Sequence, residues 1–243
     1  MTMKQLLLLC LVILPLKLSA QADLRLLEKR AILRFGGGSL APSADFASVG
    51  TNGIYARNGF QLNAGFSYCF YRNLGIGVHL DYNQFGFDRS AFSANQQNPG
   101  MTVLSPLNST RFGLSALAFL PIRLGKTVAL NFYAEGQAGL RGMNIPKIDL
   151  TYGELGNNFT SVAYRPRPST MGYLAISGGL QVLFSRNFGL FVAYHKTLDS
   201  RHSISYSSRA FDADGLLIEG EHYLHNYLGS TGIQGGIMFV IGK

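Results

Sequence analysis

The sequence predicts an all-β fold: an eight-stranded antiparallel up-and-down transmembrane β-barrel with four long extracellular loops and three short periplasmic turns. Three observations predict it. An apolar N-terminal run is followed by segments that alternate with a period of two. No later run is long enough for a spanning helix, so insertion would have to use strands. The links between the strands alternate strictly between long and short.

The N-terminus MTMKQLLLLCLVILPLKLSAQ places Lys4 before an apolar run from Leu6 to Leu16 and small residues at 18 to 20. This is the pattern of a secretory signal peptide cleaved near Ala20. The run of 11 residues falls short of the roughly 20 needed to span a bilayer as a helix. Cleavage removes Lys4 and Lys17 and lowers the formal charge from +8 to +6. Of the two cysteines only Cys69 survives, which excludes an internal disulfide and a cysteine metal cluster. Residues 21–29 are expected to be a short periplasmic leader, with Leu24 and Leu27 on one side of a helical turn, and 30–243 the barrel domain.

Eight strands are expected at 30–40, 60–71, 74–87, 110–120, 127–141, 171–184, 188–199 and 229–242. The second sets Phe60, Leu62, Phe66 and Phe70 against Gln61, Asn63, Ser67 and Cys69; the third sets Leu74, Ile76, Val78 and Leu80 against Gly75, Gly77, His79 and Asp81. Joined by Arg72-Asn73, the two make a hairpin with one apolar and one polar face. The fifth opposes Val128, Leu130 and Phe132 to Asn131, Glu135, Gln137 and Arg141, and the last opposes Ile233, Ile237, Phe239 and Ile241 to Gly232, Gln234 and Gly236. The first, fourth and seventh alternate less cleanly.

Links at 72–73, 121–126 and 185–187 are short, whereas those at 41–59, 88–109, 142–170 and 200–228 hold 19, 22, 29 and 29 residues. In an up-and-down barrel this gathers the long links at one end, as in outer-membrane barrels. The apolar parity then faces lipid, and closure leaves no open edge there. Glycine, tyrosine and phenylalanine suit a narrow lumen and aromatic girdles, although tryptophan is absent.

The export signal ending Ser19-Ala20-Gln21, the eight-strand rhythm and the closing strand GIQGGIMFVIGK resemble the small eight-stranded outer-membrane β-barrel proteins, most of all the Bacteroidetes-type outer-membrane β-barrel domain family. The resemblance covers residues 21–243 and brings no catalytic motif. It implies localisation in the outer membrane of a Gram-negative bacterium and a structural, adhesive or secretion-associated role. It also implies contact with outer-membrane lipid and lipopolysaccharide, the barrel insertion machinery and other envelope proteins. The chain ends on Lys243 rather than an aromatic residue, so Phe239 and Ile241 would carry any recognition of the last strand by the insertion machinery.

The inward parity gathers His79, Asp81, Glu135, Gln137, Arg141 and Gln234, with Arg34 from the first strand. Charges in a cramped lumen must be paired, which points to a salt-bridged plug ahead of a narrow solute or ion channel. Lys147, Arg165 and Arg167 in the third long loop are candidates for binding phosphate groups or another polyanion, among the acids Asp149 and Glu154. Some barrels of this size hydrolyse lipid A acyl chains with a His, a Ser and a carboxylate. The stretch from His195 to Ser200, His202 and Ser203 holds those types near the outer rim. However, His202 and Ser203 alternate faces, and Ile204 takes the place a hydroxyl would need, so no enzyme is expected. His222 and His225 with Glu219 and Glu221 lack diagnostic metal spacing, and no metal or cofactor is expected. GGG at 36–38 lacks a phosphate-loop context, and the basic residues form no stripe, so nucleic acid is excluded as a partner. The expected function is a non-enzymatic outer-membrane barrel that binds through its loops or docks in an envelope assembly.

Overall fold

A computed structural model describes residues 27–49, 54–96, 99–123, 128–152, 159–198, 201–212 and 214–242. The expected signal peptide, most of the leader, Glu154, Ser200 and Lys243 lie outside the described residues. No described helix is long and apolar enough to cross a membrane.

Eight antiparallel strands close into a barrel: β1 (Arg30–Pro42), β2 (Ala56–Tyr71), β3 (Leu74–Phe87), β5 (Leu107–Arg123), β6 (Ala129–Asn144), β9 (Ser169–Leu183), β10 (Phe188–Thr197) and β13 (Ser230–Ile241). Every neighbour pair is consecutive along the barrel, and β1 meets β13 in register from Ala31↔Ile241 to Pro42↔Ser230. The ring therefore has no edge that leaves backbone donors unpaired. Arg72, with φ 42°, turns β2 into β3 at the two-residue link, and Ser185 Oγ accepts from the amides of Asn187 and Phe188 at the β9–β10 link.

The remaining strands come from the long links. β4 (Gly100–Val103), β7 (Ile148–Thr151), β8 (Phe159–Pro166), β11 (Arg201–Asp212) and β12 (Leu217–Tyr227) form a second sheet ordered β12-β11-β8-β7-β4 at the long-link end. The expectation of loops is refined here: three of the four long links satisfy their backbone polar groups by pairing with one another. A seven-residue helix α1 (Arg89–Asn95) precedes β4 and is capped by Asp88, whose Oδ1 accepts from the Ala91 amide at 3.0 Å.

All eight barrel strands expose large apolar side chains on the outside, among them Phe35, Phe66, Ile76, Leu114, Phe132, Ile176, Val192 and Ile237. Leu114 is 67% exposed, while its strand neighbours Arg111, Ser115 and Leu117 are buried. The outer face is thus apolar and the inner one mostly polar, the reverse of a water-soluble barrel.

The interior is filled in three layers. At the short-turn end Leu27, Ile32, Phe119, Tyr133, Met238 and Val240 form an apolar floor. At the long-link end Leu40, Phe46, Ile54, Phe85, Met143 and Leu228 form an apolar cap, with Phe46 edge-on to Phe85 at 4.7 Å between centroids. The polar layer lies between. Two glycine pairs make room in it for aromatic rings. One row across four strands reads His79, Gly113, Gly139, Tyr173, and its outer rings meet edge to face over the two glycines. The other sets Phe191 beside Gly236 and Gly36, where a Cβ on Gly36 would lie 2.7 Å from the Phe191 ring.

Candidate functional site: a filled lumen beneath an aromatic cavity

Period-two alternation turns the charged and histidine side chains of five strands into one space. Arg34 Nη2 donates to both carboxylate oxygens of Glu135, at 2.9 and 2.8 Å, and its guanidinium lies 5.4 Å from the Tyr133 ring centroid. Ser177 Oγ donates to Glu135 Oε2 at 3.4 Å. Higher in the lumen Arg111 lies 3.3 Å from Asp81 Oδ2 and donates to His195 Nε2 at 2.8 Å and to Thr197 Oγ1. An arginine only donates, so His195 accepts through a neutral Nε2. His79 Nε2 is hydrogen-bonded to Tyr173 Oη. Gln234 Oε1 accepts from Asn63 at 2.8 Å and Gln61 at 3.2 Å. The void left among Arg34, His79, Asp81, Glu135 and Gln234 is about 20 Å³. That is room for about one water molecule.

Arg141 ties this layer to the cap. Its Nη1 donates to the Leu228 carbonyl at 2.9 Å, and its guanidinium lies 5.7 Å from the Phe46 ring. Two long links, one before β2 and one before β13, are thereby anchored on a single lumenal side chain.

Above the cap lies a partly open cavity of about 300 Å³ between the barrel rim and the second sheet. All four long links or their flanking strands line it: Ile54 and Tyr55; Phe87, Phe92, Asn95 and Gln96; Ile145, Pro146, Ile148, Tyr164 and Pro166; Ile204 and Tyr206. The rings form a connected wall, with Tyr55–Phe92 at 5.2 Å, Phe87–Phe92 at 5.5 Å, Phe92–Tyr164 at 6.1 Å and Tyr164–Tyr206 at 5.9 Å. Asn95 Nδ2 donates to Tyr55 Oη at 2.7 Å. Tyr55 itself holds a left-handed backbone, φ 57°, pinned by its amide to the Ser48 carbonyl and by its own carbonyl to the Asp88 amide. Burial, reinforced by Tyr152, Tyr206 and Tyr55, pushes the Tyr164 phenol up to about 12, and burial also raises Tyr206. Both are neutral phenols at physiological pH.

The structure brings His79, Asp81, Glu135, Gln137, Arg141, Gln234 and Arg34 together in the lumen, all buried. It adds Arg111 and His195. Their signal lay in the parities Arg111-Gly113-Ser115 and Gly189-Phe191-Ala193-His195. His195 is a lumenal residue, 2% exposed, rather than a rim residue, because β10 continues its alternation to Thr197. Lys147, Arg165 and Arg167 do not converge on a free anion site. Lys147 is exposed, Arg165 is paired with Asp149 at 2.5 Å, and Arg167 is paired with Glu221 at 2.6 Å. His222 stacks on Tyr206 at 5.0 Å and contacts Ser208 Oγ at 2.8 Å. His225, three residues on, belongs to the opposite face of β12. Among the described residues no three His, Cys, Asp or Glu side chains are grouped as metal ligands. No alternation marks the cavity aromatics, since four separate links supply them.

No family model matches the chain, and no curated protein sequence matches it. The resemblance to the Bacteroidetes-type family therefore rests on architecture alone. Among solved structures the chain is similar to the outer membrane protein OprG from Pseudomonas aeruginosa, with 13% identity, a TM-score of 0.48 and coverage of 89% of this chain and 97% of that one. It is also similar to a major outer membrane protein from Thermus thermophilus, with 10% identity, a TM-score of 0.44 and coverage of 87% and 99%. A third similar structure is the outer membrane protein AlkL in lipid bilayers, with 12% identity, a TM-score of 0.43 and coverage of 89% and 92%.

Proposed function

We propose that this chain is a non-enzymatic outer-membrane barrel with a closed lumen, serving as a rigid platform on which the paired long links bind a ligand outside the cell. One observation carries the reading. The closed ring of eight strands is apolar on its outside all the way round and filled inside by ion-paired side chains. A continuous exposed apolar belt would aggregate in water and is stable in lipid. Recognition then falls to the links, which a rigid scaffold positions. The void of about 20 Å³ argues against the narrow-channel alternative.

Heat-modifiable gel migration of carbonate-washed outer membranes tests the membrane placement. Retention in the membrane with a boiling-dependent shift is expected; release by carbonate without a shift overturns the reading. Reconstitution in planar bilayers tests the lumen. No steady conductance is expected, and resolved single-channel steps would restore the channel.

A further inference from the structure

We infer that the cavity beneath the second sheet is a binding site for a small uncharged aromatic molecule that carries one hydrogen-bonding group. The inference deepens the platform reading and rests on it for the setting, not for the geometry. Size comes first. A cavity of about 300 Å³ lies at the lower end of the range of small-molecule sites, roughly 300 to 1,000 Å³, which suits a molecule of one or two fused rings.

Chemistry comes second. Of the described residues that line it, five are aromatic, four are isoleucine and two are proline, and none is charged. A charged ligand entering this space would lose its hydration without gaining a counter-charge, which selects against carboxylates, phosphates and amines. The polar groups are few and grouped. The carboxamides of Asn95 and Gln96 stand at the end of α1, near the hydroxyls of Tyr55 and Tyr164; Tyr164 Oη donates to Gln96 Oε1 at 3.5 Å. That contact is long and exchangeable, so a ligand hydroxyl or carbonyl can take its place. The edge-to-face rings around Phe92 offer a third ring both faces and edges.

Construction comes third. Every long link contributes to the wall, and Tyr55 is held there in a left-handed conformation that a tyrosine rarely adopts. The links are thus organised around this space rather than splayed from the rim.

The test uses the full mature chain in phosphatidylcholine nanodiscs, with empty nanodiscs subtracted, and 2-naphthol as the neutral probe against 2-naphthoate as its charged counterpart. The chain has 12 tyrosines and no tryptophan, so energy transfer from tyrosine to naphthol is read without interference. Saturable binding of one 2-naphthol per chain is expected, with 2-naphthoate about tenfold weaker or worse. Ile145→Phe, which fills the cavity from an irregular segment without adding a tryptophan, is expected to weaken 2-naphthol about tenfold or more. Gln96→Phe, on the turn after α1, gives the same reading should the first variant fail to show the boiling-dependent shift. A signal no greater than that of empty nanodiscs overturns the inference. So does equal binding of naphthoate, or binding untouched in a variant that keeps its shift. A heat-shifting barrel without naphthol binding leaves the platform standing and removes this site; variant-sensitive binding by a protein that carbonate releases keeps the site and removes the membrane reading.

Discussion

Arg34 and Glu135, 101 residues apart in sequence, meet as a two-pronged ion pair in the middle of the barrel, with side-chain exposures of 7% and 1%. β1 and β6 are not neighbours in the ring, so the pair spans the lumen and braces opposite walls.

Removing one partner leaves the other charge buried. Arg34→Met or Glu135→Met alone is expected to destabilise the barrel by about 3 to 5 kcal/mol, and the two together to recover most of that loss. Urea unfolding in lipid vesicles, run as a double-mutant cycle, checks this. Equal losses in the single and double variants would show that the pair is not the brace.

The row from His79 to Tyr173 depends on bare backbone between the rings. A Cβ on Gly113 would collide with the Ala138 carbonyl oxygen, whereas one on Gly136 would meet nothing within 4 Å. Gly113→Ala is therefore expected to cost about 1 to 3 kcal/mol, and Gly136→Ala to leave the barrel's refolding yield unchanged. The fraction of boiling-shifted protein after refolding into vesicles separates the two.

Leu114 tests what the outer face touches. Leu114→Arg is expected to cost about 2 to 4 kcal/mol in vesicles if this face meets lipid. Leu216→Arg, at an equally exposed position beside the second sheet, is expected to stay within about 0.5 kcal/mol of the parent. Equal effects at the two positions would mean that both face water.

Asp88 links pH to the wall of the cavity. The Ala91 amide and the Arg57 guanidinium hold its carboxyl below the ordinary value of 3.8. A carboxyl that binds its proton more weakly when folded stabilises the cap above the ordinary value, and that contribution is lost as pH falls through the depressed one. The protection of the Ala91 amide, its exchange rate relative to an unstructured chain at the same pH, is expected to fall in acid below that range and to stay high at neutral pH. Asp88→Asn, which keeps the cap without the titration, is expected to remove the acid step, while Asp88→Ala exposes α1 at every pH. An unchanged acid profile in Asp88→Asn would assign the step to another group.

The strands were legible because the outside and the lumen of the barrel impose opposite demands on alternate residues. The stretch from Phe60 to Phe70 shows this without help from any neighbour, and β2 extends it only to Ala56. Less clean alternation hid Arg111 and His195: in β5 the small residues Ala116 and Ala118 fall on the outward parity, and in β10 the large apolar Phe191 falls on the inward one. The second sheet was not legible. β8 and β11 read as loop because their apolar face is short and interrupted: Val162, Ile204 and Ala210 are buried in apolar clusters, but Ser208 and Asp212 share the parity of Ile204 and Ala210.

By itself the sequence determined the eight two-faced strands of the barrel, the inward residues of those that alternate cleanly, and at which end the long links gather. Each of those follows from local alternation and link length. Only the tertiary structure decided that Arg34 would pair with Glu135, that Arg141 would hold the cap, and that five rings from the four long links and their flanking strands would enclose one uncharged cavity. Those contacts depend on how the ring closes and on the stagger between strands, quantities that no short stretch of sequence encodes.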